Sequence, residues 1–293
     1  MKPMKILVTG ASGYLGRRIV AHISESTGSG HLAVSAYNRG TGGDLGGRPW
    51  HLDLRSVDAP SRIVDLGPDA IIHCAAVNPG GPESAMEQVN VEGSRWVAEA
   101  ARLLGARLVH VSTDVVHDGL AAPYADDAMP SPVGTYGVTK AGAEAAVRES
   151  CPRATVVRTS LIYGLDAMDH GTRGFADRLR AGGEVGLFAD VLRQPVWVET
   201  LARALVRLAE LAPGGFVNVA GSQVLSRDAF GRRMLKAWGV EGRGRVKTVL
   251  AREVAPAVPR DLRLRLDRAR KLLDIDLPGV DEVLTARAGG DVA

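Results

Sequence analysis

Tyr136 and Lys140 stand four residues apart in TYGVTK, at the head of the helical run AGAEAAVRES. On a helix that spacing puts the phenol and the ammonium on one face. A phenol has an ordinary pKa of about 10 and is poorly matched to proton transfer at neutral pH; a nearby ammonium favours the phenolate and lowers that value. Upstream, ARLVHVSTD ends in Ser112, Thr113 and Asp114, at the strand end where open parallel sheets bind ligands. A Ser or Thr there can also simply cap a turn. Taken together, the residues predict reduction of a carbonyl. Thr113 would hydrogen-bond the carbonyl oxygen and Tyr136 would protonate the developing alkoxide. Lys140 would tune Tyr136 and hold the ribose of a hydride carrier.

That reading requires a cofactor loop, and TGASGYLGRR supplies one. Gly10, Gly13 and Gly16 form GxxGxxG between a strand and a helix, with Ser12, Tyr14 and Leu15 in the same turn. The first glycine permits a tight turn, the second a close approach to a pyrophosphate, and the third close packing of helix on strand. The helix N-terminus adds free N–H groups and partial positive charge. The second strand ends in Asn38 and Arg39, with no acid to bind a ribose 2′-hydroxyl. NADP(H) is therefore the expected cofactor, with NAD(H) also allowed. Arg17 or Arg18 could assist, or could be ordinary surface arginines. Asp53 in HLDL either accepts from the adenine amine or belongs to a helix N-cap region.

Strand-like and helix-like segments alternate to position these residues. KILVTG, HLAVSAYN, RPWHLDL, AIIHCAA, ARLVHVSTD, TVVRTSLIYG and GFVNVAG read as strands, and SAMEQVNVEGSRWVAEAARLLG as one long helix. WVETLARALVRLAEL is amphipathic. The expected architecture is α/β, a doubly wound parallel Rossmann sheet with a smaller C-terminal substrate-binding lobe. The NAD(P)-binding part is expected over residues 1–165 and the lobe over 166–293, with residues near 196–221 returning to the sheet. DAMDHGTRG and AGGEVGLFADVLRQP read as irregular, while SRDAFGRRMLKAWG and LDRARKLLD read as helices of the lobe. TGSG and RGTGGDLGG read as loop insertions.

The chain has 293 residues, 45% hydrophobic and 24% charged, with a net charge of +3 and the signs interspersed. That balance argues against a nucleic-acid partner, and the locally basic RDLRLRLDRARKLL, interrupted by Asp, reads as a solvated helix face in preference to a polyanion site. Cys74 and Cys151 make neither a disulfide framework nor a zinc spacing; Cys74, inside AIIHCAA, is expected to be a buried small hydrophobe. His22, His51, His73, His110, His117 and His170 show no metal spacing, and no metal is expected. No apolar run approaches a bilayer span, and the N-terminus enters a strand directly, so a cytoplasmic setting with no membrane partner is expected.

TGASGYLG, HCAA, STD at 112–114 and YGVTK at 136–140 occur in the order of the extended short-chain dehydrogenase/reductase superfamily, which the whole chain resembles. Within it, STDVVHDG and RTSLIYG resemble STDYVFDG and RTSWLYG of the dTDP-4-dehydrorhamnose reductase family. The resemblance implies NADPH-dependent reduction of a keto group on a nucleotide-linked deoxysugar, with Thr113, Tyr136 and Lys140 catalytic. It also implies cofactor contacts at Leu54, Ala75 and Ala76, and substrate contacts at Val77, Asp114, Leu161 and Arg193, the last either toward substrate phosphates or in a surface salt bridge. Asn90 matches a structural asparagine. Dimers are common in the superfamily, through helices after residues 83 and 136. Two departures fall on the substrate side. Leu161 replaces a tryptophan, and VNPGGPESAMEQ replaces the family's YTxVDxAE. Alternatives are a reductase of a non-sugar ketone, an NAD-dependent sugar epimerase, and a non-catalytic NADP-binding subunit like the beta subunit of methionine adenosyltransferase. A dehydratase would carry a second acid after Asp114, where Val115 stands.

Overall fold

The structure, a computed structural model, describes residues 2–26, 28–38, 45–242 and 244–289. Arg39 and most of the RGTGGDLGG insertion lie outside the described residues, as does Thr27 of the TGSG loop. Seven strands make the central sheet: β1 (Lys5–Thr9), β2 (Leu32–Tyr37), β3 (Arg48–His51), β4 (Ala70–His73), β5 (Arg107–Thr113), β6 (Thr155–Thr159) and, far along the chain, β11 (Gly215–Val219). Their order is β11-β6-β5-β4-β1-β2-β3 and every pairing is parallel. The chain leaves β1 toward β2 on one side and later returns to β4 on the other. The C-terminal ends of β1 and β4 therefore flank the crevice where such sheets bind ligands.

The strands read as continuous apolar runs because both faces are covered. α1 (Tyr14–Glu25) and α7 (Val198–Leu211) pack together on one face, where Ile19, Leu201 and Leu205 join Ile6 and Val8 of β1. α2 (Ala59–Leu66) and α4 (Gly93–Leu104) cover the other, over Leu7, Val34 and Ile71. α5 (Thr135–Ser150) packs against α4 and β5. The expected long helix begins as α3 (Glu83–Met86) and passes through a π-helical segment, Glu87–Glu92, before α4. Such segments recur at functional sites, and this one buries Asn90 fully.

Beyond β6 the structure is more regular than the sequence suggests. TVVRTSLIYG divides into β6 and β7 (Ile162–Tyr163), which pairs with β10 (Val196–Trp197). The Gly-rich segments form α6 (His170–Arg180), β8 (Val185–Phe188) and β9 (Leu192–Arg193). β8 pairs with β13 (Val246–Val249), and β9 with β12 (Leu225–Ser226). α8 (Arg227–Ala237), α9 (Ala251–Val254) and α11 (Val280–Gly289) complete this part, with α8 against α6 and β8. The segment LDRARKLLD, expected in the lobe, instead forms α10 (Asp267–Leu272) against β11. Arg268 there donates to the carbonyls of Phe216 at 2.6 Å and Gly214 at 2.8 Å, closing the sheet edge.

No described helix is long and apolar enough to cross a membrane.

Candidate active site

The glycine turn between β1 and α1 is a cradle that side chains would fill. Gly10 has φ +69°, and a Cβ there would stand 2.8 Å from the Ala75 backbone at the end of β4. A Cβ on Gly16 would lie 2.2 Å from the Gly10 carbonyl oxygen, and one on Gly13 would lie 3.1 Å from it. Gly13 is the N-cap of α1, with no side-chain cap and no acid in the first turn. The opening N–H groups of α1 are thus free of side-chain acceptors, as an anion site needs. Ser12 is exposed at the loop tip and Leu15 is buried beneath it. These features fit a dinucleotide pyrophosphate. Gly10→Ala is expected to weaken NADPH binding about tenfold or more, because a Cβ 2.8 Å from the Ala75 backbone displaces the turn, and to cost the fold roughly 1–2 kcal/mol for a left-handed non-glycine residue. A fluorescence titration beside Gly13→Ala, expected to be milder, checks this.

Tyr14 reaches away from the loop. Its hydroxyl donates to the Ala167 carbonyl at 3.0 Å, and burial raises its pKa. Arg17 donates to the Ser12 carbonyl at 3.2 Å, whereas Arg18 pairs with Glu199 of α7 at 2.5 Å. Asn38 is exposed at the end of β2. Asp53 lies in the turn before α2, where its Oδ1 accepts from the Arg55 N–H at 2.9 Å. Arg55 binds it through both carboxylate oxygens, holding its pKa below the usual value, and the N-cap of α2 is Asp58. Leu54 is buried, its Cβ 3.1 Å from where Gly93 would carry one. Ala75, Ala76 and Val77 are half-buried after β4. Asn90 grips that turn, accepting from Val77 N–H at 2.7 Å and donating to Val77 C=O at 3.1 Å and to Thr139 Oγ1 at 3.2 Å. Cys74 is half-buried; its thiol donates to Thr9 C=O at 2.9 Å and burial pushes its pKa up to about 12.

Thr113 ends β5 with its Oγ1 accepting from Val115 N–H at 3.3 Å, so the hydroxyl also caps the following turn. α5 lies directly on that turn, because Gly137 has no side chain: a Cβ there would be 2.4 Å from the Val115 carbonyl oxygen. Tyr136 and Lys140 follow on α5 as the spacing requires. Tyr136 is half-buried, and its pKa is pushed up to about 12, first by burial and then by the Asp114 charge, with Arg193 opposing. The expected lowering by Lys140 is therefore absent in the protein alone. The reason is visible at the lysine, whose Nζ donates 2.8 Å to the Val111 carbonyl and lies 3.4 Å from His110 Nε2.

Lys140 is only 3% exposed, and burial pushes its pKa down to about 8. A folded-state value below the ordinary 10.5 means that charging the lysine opposes folding. The penalty is complete below pH 8 and is relieved as pH rises toward 10.5. Lys140→Met is expected to stabilise the protein at neutral pH by less than the roughly 3 kcal/mol that the lowered pKa represents, because the Val111 carbonyl and His110 lose their donor, with the gain fading above pH 8. Urea unfolding as a function of pH measures it.

Asp114 and Arg193, expected to face the substrate, face each other. Arg193 Nε and one terminal nitrogen reach the two Asp114 oxygens at 2.7 and 2.5 Å, with both side chains buried. A guanidinium committed to a buried bidentate carboxylate has little left for phosphates, so of the two readings the salt bridge is the one seen, buried and not at the surface. Beside the pair stands Arg227, which no sequence motif singles out. It lies over the Phe188 ring at 5.9 Å, and its pKa is lowered by burial and by Arg193, against the pull of Asp114. Leu161 is half-buried between the sheet and the small strands, its carbonyl accepting from Val196 N–H at 2.8 Å. His117 is buried and stacked on Tyr124, with ring centroids 3.9 Å apart.

The parallel sheet, the glycine cradle at its switch point, and the tyrosine–lysine helix beside it define an NAD(P)-dependent oxidoreductase of the extended short-chain dehydrogenase/reductase superfamily. Within it the chain belongs to the family described as RmlD substrate binding domain, whose model matches residues 4–286. The dTDP-4-dehydrorhamnose reductase of Mycobacterium tuberculosis is 32% identical over 271 residues, 87% of this chain and 82% of that protein. The methionine adenosyltransferase 2 subunit beta of Xenopus tropicalis is 37% identical over 167 residues, 55% of this chain and 47% of that one. In fold, the dTDP-4-dehydrorhamnose reductase of Bacillus anthracis, solved in complex with NADP, matches with a TM-score of 0.80 at 24% identity, covering 97% and 98% of the two chains.

Proposed function

We propose that this protein reduces a keto group on a nucleotide-linked deoxysugar with NADPH, Tyr136 donating the proton. The observation that carries this is the placement of a half-buried phenol and a buried ammonium four residues apart on α5, which packs against β5, the strand that ends in Thr113. When bound, the nicotinamide cofactor supplies the hydride. Its phosphates would rest on the Gly10–Gly16 turn and its ribose would meet Lys140. NADPH is favoured over NADH because β2 ends without an acid, and the fold neighbour from Bacillus anthracis was solved with NADP.

The chain's own groups then act on the substrate. Thr113 orients the carbonyl oxygen, and Tyr136, protonated throughout the neutral range, gives its proton as the alkoxide forms. Residues 1–165 with 196–221 would hold the cofactor, and the remainder of 166–293 the sugar nucleotide. Arg193 being committed to Asp114, Arg227 is the cation we assign to the substrate's phosphates. Leu161 and the VNPGGPESAMEQ turn replace side chains that the related reductases carry on the substrate side, so the sugar accepted would differ from theirs.

NADPH consumption with a panel of dTDP-4-keto-6-deoxysugars and simple ketones tests the reading. Turnover confined to the sugars supports it. Turnover confined to simple ketones would redirect the same machinery to another substrate. NADPH binding without any turnover would favour a non-catalytic role, the reading that the relative named as a methionine adenosyltransferase subunit brings forward.

A further inference from the structure

Two histidines lie under the candidate lysine, and their hydrogen bonds have a fixed direction. His73 of β4 and His110 of β5 are cross-strand partners, fully buried, with ring centroids 5.2 Å apart. Ser94 Oγ donates to the Asn90 carbonyl at 2.6 Å, which uses its one hydrogen. At 2.9 Å from Ser94, His73 Nε2 must then be the donor. A neutral imidazole with its proton on Nε2 has a lone pair on Nδ1, so Thr9 Oγ1 donates to Nδ1 at 2.6 Å. His73 is neutral, since burial pulls its pKa down to about 3. Both of its nitrogens are taken, one by Thr9 of β1 and the other by Ser94 of α4. It is a fixed wall against which the His110 ring lies.

His110 is also neutral, its pKa held well below the ordinary value by burial and then by the Lys140 charge. Its Nε2 faces Lys140 Nζ at 3.4 Å, while its Nδ1 has no hydrogen-bond partner among the described residues. The nearest carboxylate on α5, Glu144, is taken by Ser112 and Arg158. The ionisable groups that act on Lys140 are Glu144 from α5, Cys74 from the end of β4, and the two histidines. Its direct acceptors are both neutral: the Val111 carbonyl and His110.

We propose that His110 is a positioning residue for Lys140, its Nε2 lone pair accepting one ammonium N–H so that, with the Val111 carbonyl taking a second, a single N–H is left for the active site. This rests on the proposed function for what the lysine does, but not for how it is held. An ammonium has three N–H groups; two fixed acceptors leave its long, flexible stem one orientation instead of several. Removing the acceptor also removes support for the charged form, so the lysine should lose its proton at lower pH.

The test uses His110→Leu, which keeps bulk without an acceptor, and His110→Gln, whose amide oxygen can stand where Nε2 was. NADPH affinity is measured by fluorescence from pH 6.5 to 9.5, and kcat/KM for the best substrate over the same range. In the wild type, affinity is expected to fall as Lys140 deprotonates. In His110→Leu the midpoint should move down by about one pH unit, the size that one hydrogen bond to a charged group carries, and His110→Gln should restore it. Should His110→Leu not fold, His110→Asn, whose shorter amide falls away from Nζ, replaces it. An unmoved midpoint in the folded variant overturns the proposal. A moved midpoint in a protein without ketone turnover supports it while contradicting the proposed function, because the binding readout needs no catalysis.

Discussion

Tyr136→Phe is expected to lower kcat for ketone reduction by about 10²–10⁴-fold, the range that a positioned general acid contributes. NADPH affinity should stay within about twofold, because the phenol hydroxyl makes no hydrogen bond to the glycine turn or to any other described residue whose loss would disturb the cradle. Tyr136 owes its high pKa to burial and to Asp114. It is therefore protonated across the neutral range, and kcat for reduction should not show a falling limb from phenol ionisation below pH 9. Steady-state kinetics of the wild type and the variant, with an NADPH titration of each, measure both statements. A variant retaining more than a tenth of wild-type kcat would remove Tyr136 from the chemistry.

The largest loss of stability is expected at Arg158, the arginine of RTSLIYG. It is fully buried, binds both Glu144 oxygens at 3.0 and 2.7 Å, and donates to the carbonyls of Ala128 at 2.7 Å and Asp126 at 3.2 Å. Its guanidinium also lies 4.5 Å from the Phe216 ring centroid. One side chain thus joins β6, α5, the turn before α5, and the edge strand β11. Arg158→Leu leaves the Glu144 carboxylate buried with only Ser112 as a donor. Breaking one side of a buried pair costs about 3–5 kcal/mol. The double variant Glu144→Leu with Arg158→Leu removes both charges and should be less damaged than Arg158→Leu alone. It should recover only part of the loss, because the two carbonyls remain without their donor. Urea unfolding of the two single variants and the double variant gives the coupling directly.

The parts legible in the sequence are those written in local patterns. Continuous apolar runs between turn residues placed the seven strands, and glycines at a strand–helix junction placed the cradle, since both are dictated by neighbours a few residues away. The tyrosine–lysine pair was legible for the same reason: four residues on a helix fix a shared face. What escaped depends on distant partners. Asp114 and Arg193 are 79 residues apart, and each alone looks like a polar residue waiting for a substrate. His110 and Lys140 are 30 apart, and the lysine's neutral acceptors pull it against β5 instead of toward the phenol. Asp53 has its guanidinium partner, Arg55, only two residues on, yet the spacing does not say whether that side chain folds back or points to solvent. α6 and β8 were missed because their glycines mask a period that is completed only by packing on α8 and pairing with β13. α10 carries charges that look solvated, yet Arg268 spends its charge on the carbonyls of the sheet edge.

The central claim is that the tyrosine–lysine helix and the glycine cradle form one working reductase site. The most direct measurement is NADPH oxidation by the wild-type protein given a dTDP-4-keto-6-deoxysugar, with the reduced sugar nucleotide quantified alongside. The account predicts NADPH loss matched mole for mole by hydroxyl product. NADPH that binds but is never consumed, with this substrate or any other ketone, would contradict it.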